Sequence, residues 1–163
     1  RCKNNSFAGL KQRKSKWERN KNYWITMIID AKDTILGRLG SYVAKQVLLG
    51  NKVDVVNCEE CAVSGRKHAT LDQYERKMHR KAPNKGPFFY RRPDMFVKRT
   101  IRGMLPFKRA RGMDAFKNIK CYIGTPENLK NEKALVIESA SISKLHSADY
   151  LKVKDICKSV GGK

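Results

Sequence analysis

Long apolar runs and negative charge are both scarce in this sequence. No stretch of the 163 residues is long and apolar enough to span a membrane. Residues 1–17, RCKNNSFAGLKQRKSKW, contain no apolar core of the kind that a secretory signal peptide has, so we expect no export. Because this segment is basic and poor in acid, organelle import is a minor alternative to a cytoplasmic location. Only 15 residues are acidic against 36 Lys and Arg, which leaves a net charge of +21.

Motifs of nucleotide-using and hydrolytic enzymes are also missing. Gly37 and Gly40 fall where a dinucleotide-binding loop places its glycines, but they read Gly-Arg-Leu-Gly instead of G-x-G-x-x-G. No acidic residue lies at the end of the second strand, where it would bind the ribose of a dinucleotide, unless Glu59 fills that role. The alternative role for these glycines is close packing of a helix on a strand. No Ser/His/Asp or Cys/His set is suggested, so we expect no catalysis, no cofactor and no small-molecule substrate.

Cysteines are few, odd in number and irregularly spaced, which favours reduced thiols in a cytosolic-type compartment. Cys58 and Cys61 form a C-x-x-C, which is half of a zinc site. The second half is missing, since His68 and His79 lie eleven residues apart. The alternative is two small side chains packed after a strand, and we expect no metal. The five cysteines are Cys2, Cys58, Cys61, Cys121 and Cys157.

The positive charge is concentrated in two parts of the chain. Residues 66–120 hold 17 basic and 4 acidic residues, a net charge of +13, and residues 1–24 carry +7. Residues 25–65 and 121–163 are nearly neutral, at −1 and +2. A solvated lysine-rich surface is the plain alternative, but +13 in one block opposes compaction unless a partner neutralises it. The distribution is therefore typical of a nucleic-acid-binding protein.

Apolar patterning predicts an α/β fold in which residues 25–163 form one domain. Residues 24–30, WITMIID, are a continuous run of the kind found in a strand buried on both faces. A helix over 35–49 and a strand over 53–57 complete a βαβ unit. Residues 1–24 have no apolar period, and we expect a flexible basic extension that is ordered only on a partner. The other predicted elements are helices over 70–81, 93–104, 113–118 and 150–160, a strand over 119–123, and a strand or turn over 134–137.

Three residues or pairs carry signals for helix ends. Asp33 and Thr34 are candidate N-caps of the first helix. Gly50 follows its last periodic residue and is typical of a C-terminal cap. Thr70, with Gln73 three residues later, predicts a capping box at the start of the second helix.

The stretch Lys98–Gly112, KRTIRGMLPFKRARG, shares an apolar stripe with the residues just before it and carries a cationic face. Leu105-Pro106 should end the helix, because the residue before a proline is pushed out of the helical region. The basic loop after it projects from a fixed point, so the stretch has the character of half an interface with a polyanion. The apolar stripe is Phe96, Val97, Ile101 and Met104. The cations are Lys98, Arg99 and Arg102 on the other side of the helix and Lys108, Arg109 and Arg111 after it.

Residues 82–93, APNKGPFFYRRP, form a proline-rich loop that interleaves aromatic and basic side chains. Aromatic rings among cations suit stacking on unpaired bases beside phosphate contacts. The alternative is that the rings attach the loop to the core, and we expect at least one of them to be buried. The aromatics are Phe88, Phe89 and Tyr90, among Lys85, Arg91 and Arg92. The helix before the loop turns Leu71, Tyr74 and Met78 inward, and Arg76, Lys77, Arg80 and Lys81 outward.

Six segments, in order and at consistent intervals, carry a resemblance to a known family. The chain over about residues 25–163 resembles the large-ribosomal-subunit protein family L-thirteen, in its archaeal and eukaryotic form. The RGMLP segment with the basic residues after it is the most specific, and residues 1–24 match nothing recognised in the family. The segments are IIDAKDTILGRLGSYVAKQVLLGNKVDVVNCE at 28–59, VSGRK at 63–67, NKGPFFYRRP at 84–93, TIRGMLPFKRARG at 100–112, KNIKCYIGTP at 117–126 and YLKVKDICKSVGGK at 150–163.

The resemblance implies a fold, a partner and a set of contact residues. The implied fold is a three-layer α/β/α arrangement on a small, mainly parallel four-stranded sheet. The implied role is structural, bound to rRNA in the large ribosomal subunit beside neighbouring ribosomal proteins, with no catalysis and no cofactor. A free regulatory RNA-binding module outside the ribosome is the alternative, since its sequence would look the same. The implied rRNA contacts are Arg38, Arg66, Lys67, Lys85, Arg91, Arg92, Arg99, Arg102, Lys108, Arg109 and Arg111. We also expect Lys98 and the outward cations of the helix before the proline-rich loop to bind RNA, namely Arg76, Lys77, Arg80 and Lys81.

Overall fold

The computed structural model describes residues 26–80, 82 and 84–162, and these residues form five α-helices and six β-strands. The extension predicted at 1–24 lies outside the described residues. No helix in the described part is long and apolar enough to cross a membrane. The helices are α1 (Leu36–Leu48), α2 (Lys67–His79), α3 (Pro93–Met104), α4 (Ala110–Lys117) and α5 (Val153–Ser159). The strands are β1 (Thr26–Asp30), β2 (Lys52–Val56), β3 (Ala62–Ser64), β4 (Ile119–Cys121), β5 (Leu135–Val136) and β6 (Tyr150–Lys152).

Four strands form a parallel sheet in the order β4-β2-β1-β5, and β3 pairs with β6 in a separate antiparallel pair. β1 and β2 are neighbours joined through α1, with Ile29 opposite Val55. Val55 also lies opposite Cys121 of β4, and Ile29 lies opposite Leu135 of β5. The prediction of an α/β fold on a mainly parallel four-stranded sheet is therefore confirmed, and the segment predicted as a strand or turn at 134–137 contains a short strand.

The two faces of this sheet have different chemistry. Ile29, Val53 and Val55 are fully buried and belong to the apolar core that α1 and α3 complete. Alternate residues of a strand point to the opposite face, where Ile28 and Val56 are buried but Asp54 is only half-buried and both Lys52 and Lys120 are exposed. Burial raises the pKa of the Asp54 carboxyl, and the field of Lys120 opposes that rise. The main core thus lies on the face of the sheet that supports the basic helix.

Helix α1 packs through a stripe at helical spacing that includes Leu39, Val43 and Val47. Its end agrees with the prediction, since Gly50 has φ +105° and its amide donates to the Val47 carbonyl (3.0 Å). The predicted N-cap is wrong, because Ile35 occupies that position without a side-chain cap. The Thr34 hydroxyl instead donates to the Ala31 carbonyl (2.8 Å), so it serves the turn after β1.

Helix α2 begins three residues earlier than the predicted capping box at Thr70, so that prediction is wrong. Arg66 is the N-cap and Lys67 the first helical residue. The physical reason is tertiary: β3 ends at Ser64, and Gly65 with φ +134° turns the chain directly into the helix. The predicted inward side chains of α2 are only half-buried, which makes it a surface helix.

The strand β6 was not predicted, and the helix predicted over 150–160 begins only at Val153. Residues 150–152 pair with β3, which lies about 90 residues earlier in the chain; Leu151 stands opposite Val63. Apolar side chains at Leu151 and Val153 fit a strand and a helix equally well over so few residues. Only the distant pairing partner decides between the two.

Candidate nucleic-acid interface

Helix α3 is held to the core along one stripe and presents its other side outward. Phe96, Val97 and Ile101 are buried in the main core. Pro93 is the first residue of the helix, and Leu105 leaves it with an extended backbone (φ −97°, ψ 149°) just before the next proline. Both ends agree with the prediction, because proline is tolerated in the first turn and pushes its preceding residue out of helical geometry.

Met104 does not complete the buried stripe, so that part of the prediction is wrong. Its side chain is 40% exposed. Its Sδ atom lies 3.0 Å from the position that a Cβ on Gly40 would occupy. The missing side chain at Gly40 lets the methionine rest on α1 near the surface. Gly40 therefore serves packing between α1 and α3, which favours the packing role over a nucleotide loop.

Two cations of α3 lie over aromatic rings of the segment that follows it. Lys98 Nζ is 5.1 Å from the centre of the Phe116 ring, and Arg102 Cζ is 3.9 Å from the centre of the Phe107 ring. The two rings meet edge to face with centres 5.4 Å apart. A ring face attracts a cation without neutralising it, so each cation is positioned and keeps its charge. The sequence alone did not indicate that these two rings belong to the site.

The turn between α3 and α4 is tight and requires glycine at position 112. A Cβ on Gly112 would lie 2.2 Å from the carbonyl oxygen of Pro106, far inside contact distance. The Arg109 amide donates to the same carbonyl (2.9 Å), and the Arg111 guanidinium donates to the Leu48 carbonyl at the end of α1 (3.3 Å). Arg111 therefore has a structural contact in addition to its predicted RNA contact.

A groove with a volume of about 540 Å³ runs along this turn, and we call it the basic groove. Its apolar wall includes Leu105, Pro106 and Phe107. None of the described residues that line it is acidic. A chain of phosphates could therefore lie along it without meeting a negative side chain. Its four cations are Arg99, Arg102, Lys108 and Arg109.

The three aromatic residues of the proline-rich loop divide between the two roles left open by the sequence. Phe89 is half-buried, with its ring centre 5.7 Å from that of Tyr74 and 6.0 Å from that of Phe96. It attaches the loop to α2 and α3. Phe88 is 66% exposed and Tyr90 is 37% exposed. The expectation of a buried ring is met only in part, since Phe89 is half-buried and the other two rings face outward.

A second cavity of about 440 Å³ lies beside the basic groove, and we call it the aromatic pocket. Lys77 Nζ lies 4.8 Å from the centre of the Tyr74 ring, and Arg99 Cζ lies 5.1 Å from the centre of the Tyr90 ring. Arg99 borders both cavities. The aromatic pocket is lined by Tyr74, Lys77, Arg80, Pro87, Phe88, Phe89, Tyr90, Phe96, Arg99 and Thr100.

The remaining predicted contacts that the structure describes line neither of these two cavities. Arg38 donates to the Ser139 carbonyl (3.2 Å), and Arg92 pairs with Asp94 at 3.0 Å. The Arg38 bond joins α1 to a residue about 100 positions later in the chain, whereas the Arg92 pair is local and leaves the Arg92 side chain 71% exposed. Lys98 is half-buried against its ring, and Lys81 lies outside the described residues. The others are exposed on the surface, namely Arg66, Lys67, Arg76, Lys85, Arg91 and Arg111.

The glycine pair after α5 packs against the backbone of the proline-rich loop, a contact that the sequence did not predict. A Cβ on Gly162 would lie 2.6 Å from the Arg91 carbonyl oxygen, and the Gly162 amide donates to the Cys157 carbonyl (2.7 Å). Two backbones thus meet where no side chain fits. The run of two glycines directly after a predicted helix was the available signal.

Both cysteines of the C-x-x-C are fully buried. The Cys61 thiol donates to the Thr34 carbonyl (3.3 Å), and burial raises the pKa of that thiol to about 11. The pKa of the Cys58 thiol is also raised, first by its hydrogen bond with Cys121 and then by burial. In the described residues no three His, Cys, Asp or Glu side chains come together as a metal site. Buried neutral thiols favour the packing role.

Comparison with known proteins agrees with the motifs. Residues 11–128 match the family model described as Ribosomal protein L13. The chain is 43% identical to the large ribosomal subunit protein uL13 of Methanosarcina barkeri over 137 residues, which cover 83% of this chain and 98% of that protein. It is 39% identical to the uL13 protein of Methanocaldococcus jannaschii over 140 residues, again 83% and 98% of the two chains. This chain, with its parallel sheet and basic α3–α4 turn, therefore belongs to the ribosomal protein L13 family.

Proposed function

We propose that this protein is a structural constituent of the large ribosomal subunit and binds rRNA through a basic face centred on residues 66–111. The observation that carries the proposal is the junction of the basic groove and the aromatic pocket. Together they are bordered by six cations, and none of their described lining residues is acidic. The relatives named above are large-subunit proteins. The expectation that the chain is not an enzyme agrees with membership of a ribosomal protein family.

The mechanism is neutralisation of phosphates by cations that are already positioned. Of the six cavity cations, Lys77, Arg99 and Arg102 each lie over an aromatic ring. Little side-chain freedom is then lost when RNA binds, so more of the electrostatic attraction appears as affinity. If the six cavity cations each neutralise one phosphate, the logarithm of affinity should fall by about 4 to 5 per unit of log salt concentration.

The proposal is tested by removing the four cations of the basic groove together. The variant replaces Arg99, Arg102, Lys108 and Arg109 with Ala. We expect it to melt cooperatively, to show a smaller salt dependence of binding to large-subunit rRNA fragments, and to be depleted from large subunits in a sedimentation profile.

A matched control removes the same charge elsewhere, at the exposed lysines Lys130, Lys133, Lys144 and Lys158. This control should still sediment with large subunits. Equal depletion of both variants would mean that net charge, and not this face, determines assembly. A wild-type population mostly at the top of the gradient would favour a free RNA-binding module. Neighbouring ribosomal proteins are proposed as further partners of the assembled chain.

A further inference from the structure

Phosphate binding leaves two features of the aromatic pocket without a role. Phe88 is 66% exposed, although exposing a phenyl ring to water is unfavourable and burying it is favourable. Tyr90 is 37% exposed on the same loop. A duplex backbone presents sugars and phosphates, which need cations and amides and not exposed rings. The two rings indicate an occupant with an aromatic face of its own.

The size and the aromatic lining of the pocket suit a single aromatic group. Its inner side is the cluster in which Tyr74, Phe89 and Phe96 pack with ring centres 5.4 to 6.0 Å apart. Phe88 and Tyr90 lie at its border with solvent. The volume of about 440 Å³ falls within the range of about 300 to 1,000 Å³ that small-ligand pockets occupy.

The position of Phe88 is set by its neighbours. Gly86 has φ +74°, a conformation that L side chains rarely adopt. A Cβ at that position would lie 3.1 Å from the Phe88 ring and from the Phe88 amide nitrogen. The ring therefore lies over a backbone that has no side chain. Its exposed location is a consequence of the loop and not of a loose side chain.

The charge around the pocket selects an anionic occupant. Lys77, Arg80 and Arg99 border it, and none of the described lining residues carries a negative charge. Arg99 also borders the basic groove, which continues with three further cations. An occupant with one aromatic group and a phosphate on each side would fill both cavities at once.

We propose that the aromatic pocket binds one unpaired nucleobase of the RNA, stacked against Phe88 and Tyr90, while the adjoining phosphates lie along the basic groove. This inference rests on the proposed RNA-binding function and makes it more specific, because it requires a bulged or single-stranded nucleotide and not only a duplex. Stacking of a base on an aromatic side chain tolerates any base, so the pocket recognises the unpaired state and not a sequence.

The experiment uses the full chain and three RNA duplexes of one sequence. The first has a single bulged 2-aminopurine, the second an abasic site at the bulge, and the third no bulge. We expect the wild type to quench 2-aminopurine fluorescence and to bind the first duplex about 5- to 100-fold more tightly than the second. In Phe88→Ala and Tyr90→Ala this preference should fall towards one, while Tyr90→Phe should retain it.

The outcomes separate this inference from the function on which it rests. Equal affinity of the wild type for the base-containing and abasic bulges, with a steep salt dependence for both, would overturn the base pocket and leave RNA binding intact. Weak, salt-independent binding to all three duplexes would count against the proposed function itself. A preference that survives in folded Phe88→Ala and Tyr90→Ala would place the base elsewhere, and thermal melting of each variant checks the fold.

Discussion

Cations are held in two different ways in this molecule. Beside β6, Glu60 accepts hydrogen bonds from Lys152 and, at 2.7 Å, from Lys154. On α3, by contrast, Arg102 lies 3.9 Å from the centre of the Phe107 ring. A carboxylate cancels the charge of the cation that it binds, whereas a ring only positions it. The first arrangement joins two parts of the fold, and the second leaves charge available for a partner.

The two arrangements divide the positive charge of the chain, which totals +21, between contacts within the fold and a surface open to a partner. Lys152 and Lys154, near the antiparallel pair, form ion pairs with Glu60. These pairs join the turn after β2 to the start of α5. The arginines and lysines of the basic groove have no acidic partner among the residues that line it, so they keep their charge and repel one another along the turn. Each of three variants changes either the basic groove or the carboxylate-paired lysines, but not both.

The largest effect is expected from Gly112→Ala, which disturbs the basic groove alone. The added Cβ would meet the Pro106 carbonyl oxygen at 2.2 Å, so the turn must open. We expect the free energy of unfolding to fall by about 1 to 3 kcal/mol. Urea unfolding measures this change, and rRNA-fragment binding should weaken as well, because Phe107 and Lys108 lie in the same turn.

The matched control for this variant is Gly103→Ala, in the last turn of α3. Apart from its chain neighbours and the backbone of its own helix, no atom lies within 4 Å of a Cβ at Gly103, and alanine is the better helix former. The control should leave the free energy of unfolding unchanged or raise it by up to about 1 kcal/mol. If both substitutions were harmless, the turn would not be as tight as the carbonyl contact indicates.

A smaller, pH-dependent effect is expected from Glu60→Gln, which disturbs the carboxylate-paired side alone. Hydrogen bonds from Lys152 and Lys154 lower the pKa of Glu60 from 4.5 to about 2. The ion pairs therefore stabilise the fold fully above the unfolded-state pKa of 4.5, and this contribution is lost as the pH falls towards 2. Since Glu60 is partly exposed, we expect a loss of about 1 kcal/mol or less at pH 7.

Urea unfolding of this variant at pH 7 and at pH 2.5 checks the sign. The difference from wild type should be present at pH 7 and should shrink at pH 2.5. Glu138→Gln, at an exposed carboxyl, is the control and should change little at either pH. A difference of the same size at both pH values would mean that Glu60 acts through packing and not through its charge.

The smallest effect is expected from Phe107→Leu, which removes a ring under a cation and keeps an apolar side chain. Affinity for an rRNA fragment should fall about 2- to 5-fold, the equivalent of one exposed cation–ring contact. The slope of affinity against salt should stay the same, because no charge is removed. Phe107→Tyr keeps the ring and should bind as the wild type does. A changed slope in Phe107→Leu would show that the ring does more than position Arg102.

The sequence correctly predicted the helix ends that proline and glycine determine, because these residues restrict the backbone only at their own position and the one beside it. Both ends of α3 follow from prolines, which act on their own residue and the one before it. The end of α1 at Gly50 follows from a glycine after a periodic stripe. The capping box at Thr70 failed because the pairing of β3 with a distant strand had already turned the chain into a helix at Lys67.

The candidate interface divides in the same way. The charge block and the cations of α3 could be predicted, because net charge and helical spacing are properties of the sequence. Which of Phe88, Phe89 and Tyr90 attaches the loop could not be predicted, since all three are adjacent and chemically alike. The exposed position of Met104 depended on the missing side chain of Gly40 on another helix.

By itself the sequence determined the class of fold, the positions where proline and glycine end helices, and the concentration of positive charge in residues 66–120. These follow from backbone geometry and composition, which act within a few residues. Only the tertiary structure decided which aromatic rings lie under cations, that Gly112 and Gly162 stand where backbones meet, and that Leu151 belongs to a strand. In the Lys98–Gly112 stretch the charge is therefore encoded locally, while its arrangement around two cavities depends on contacts between residues far apart in the chain.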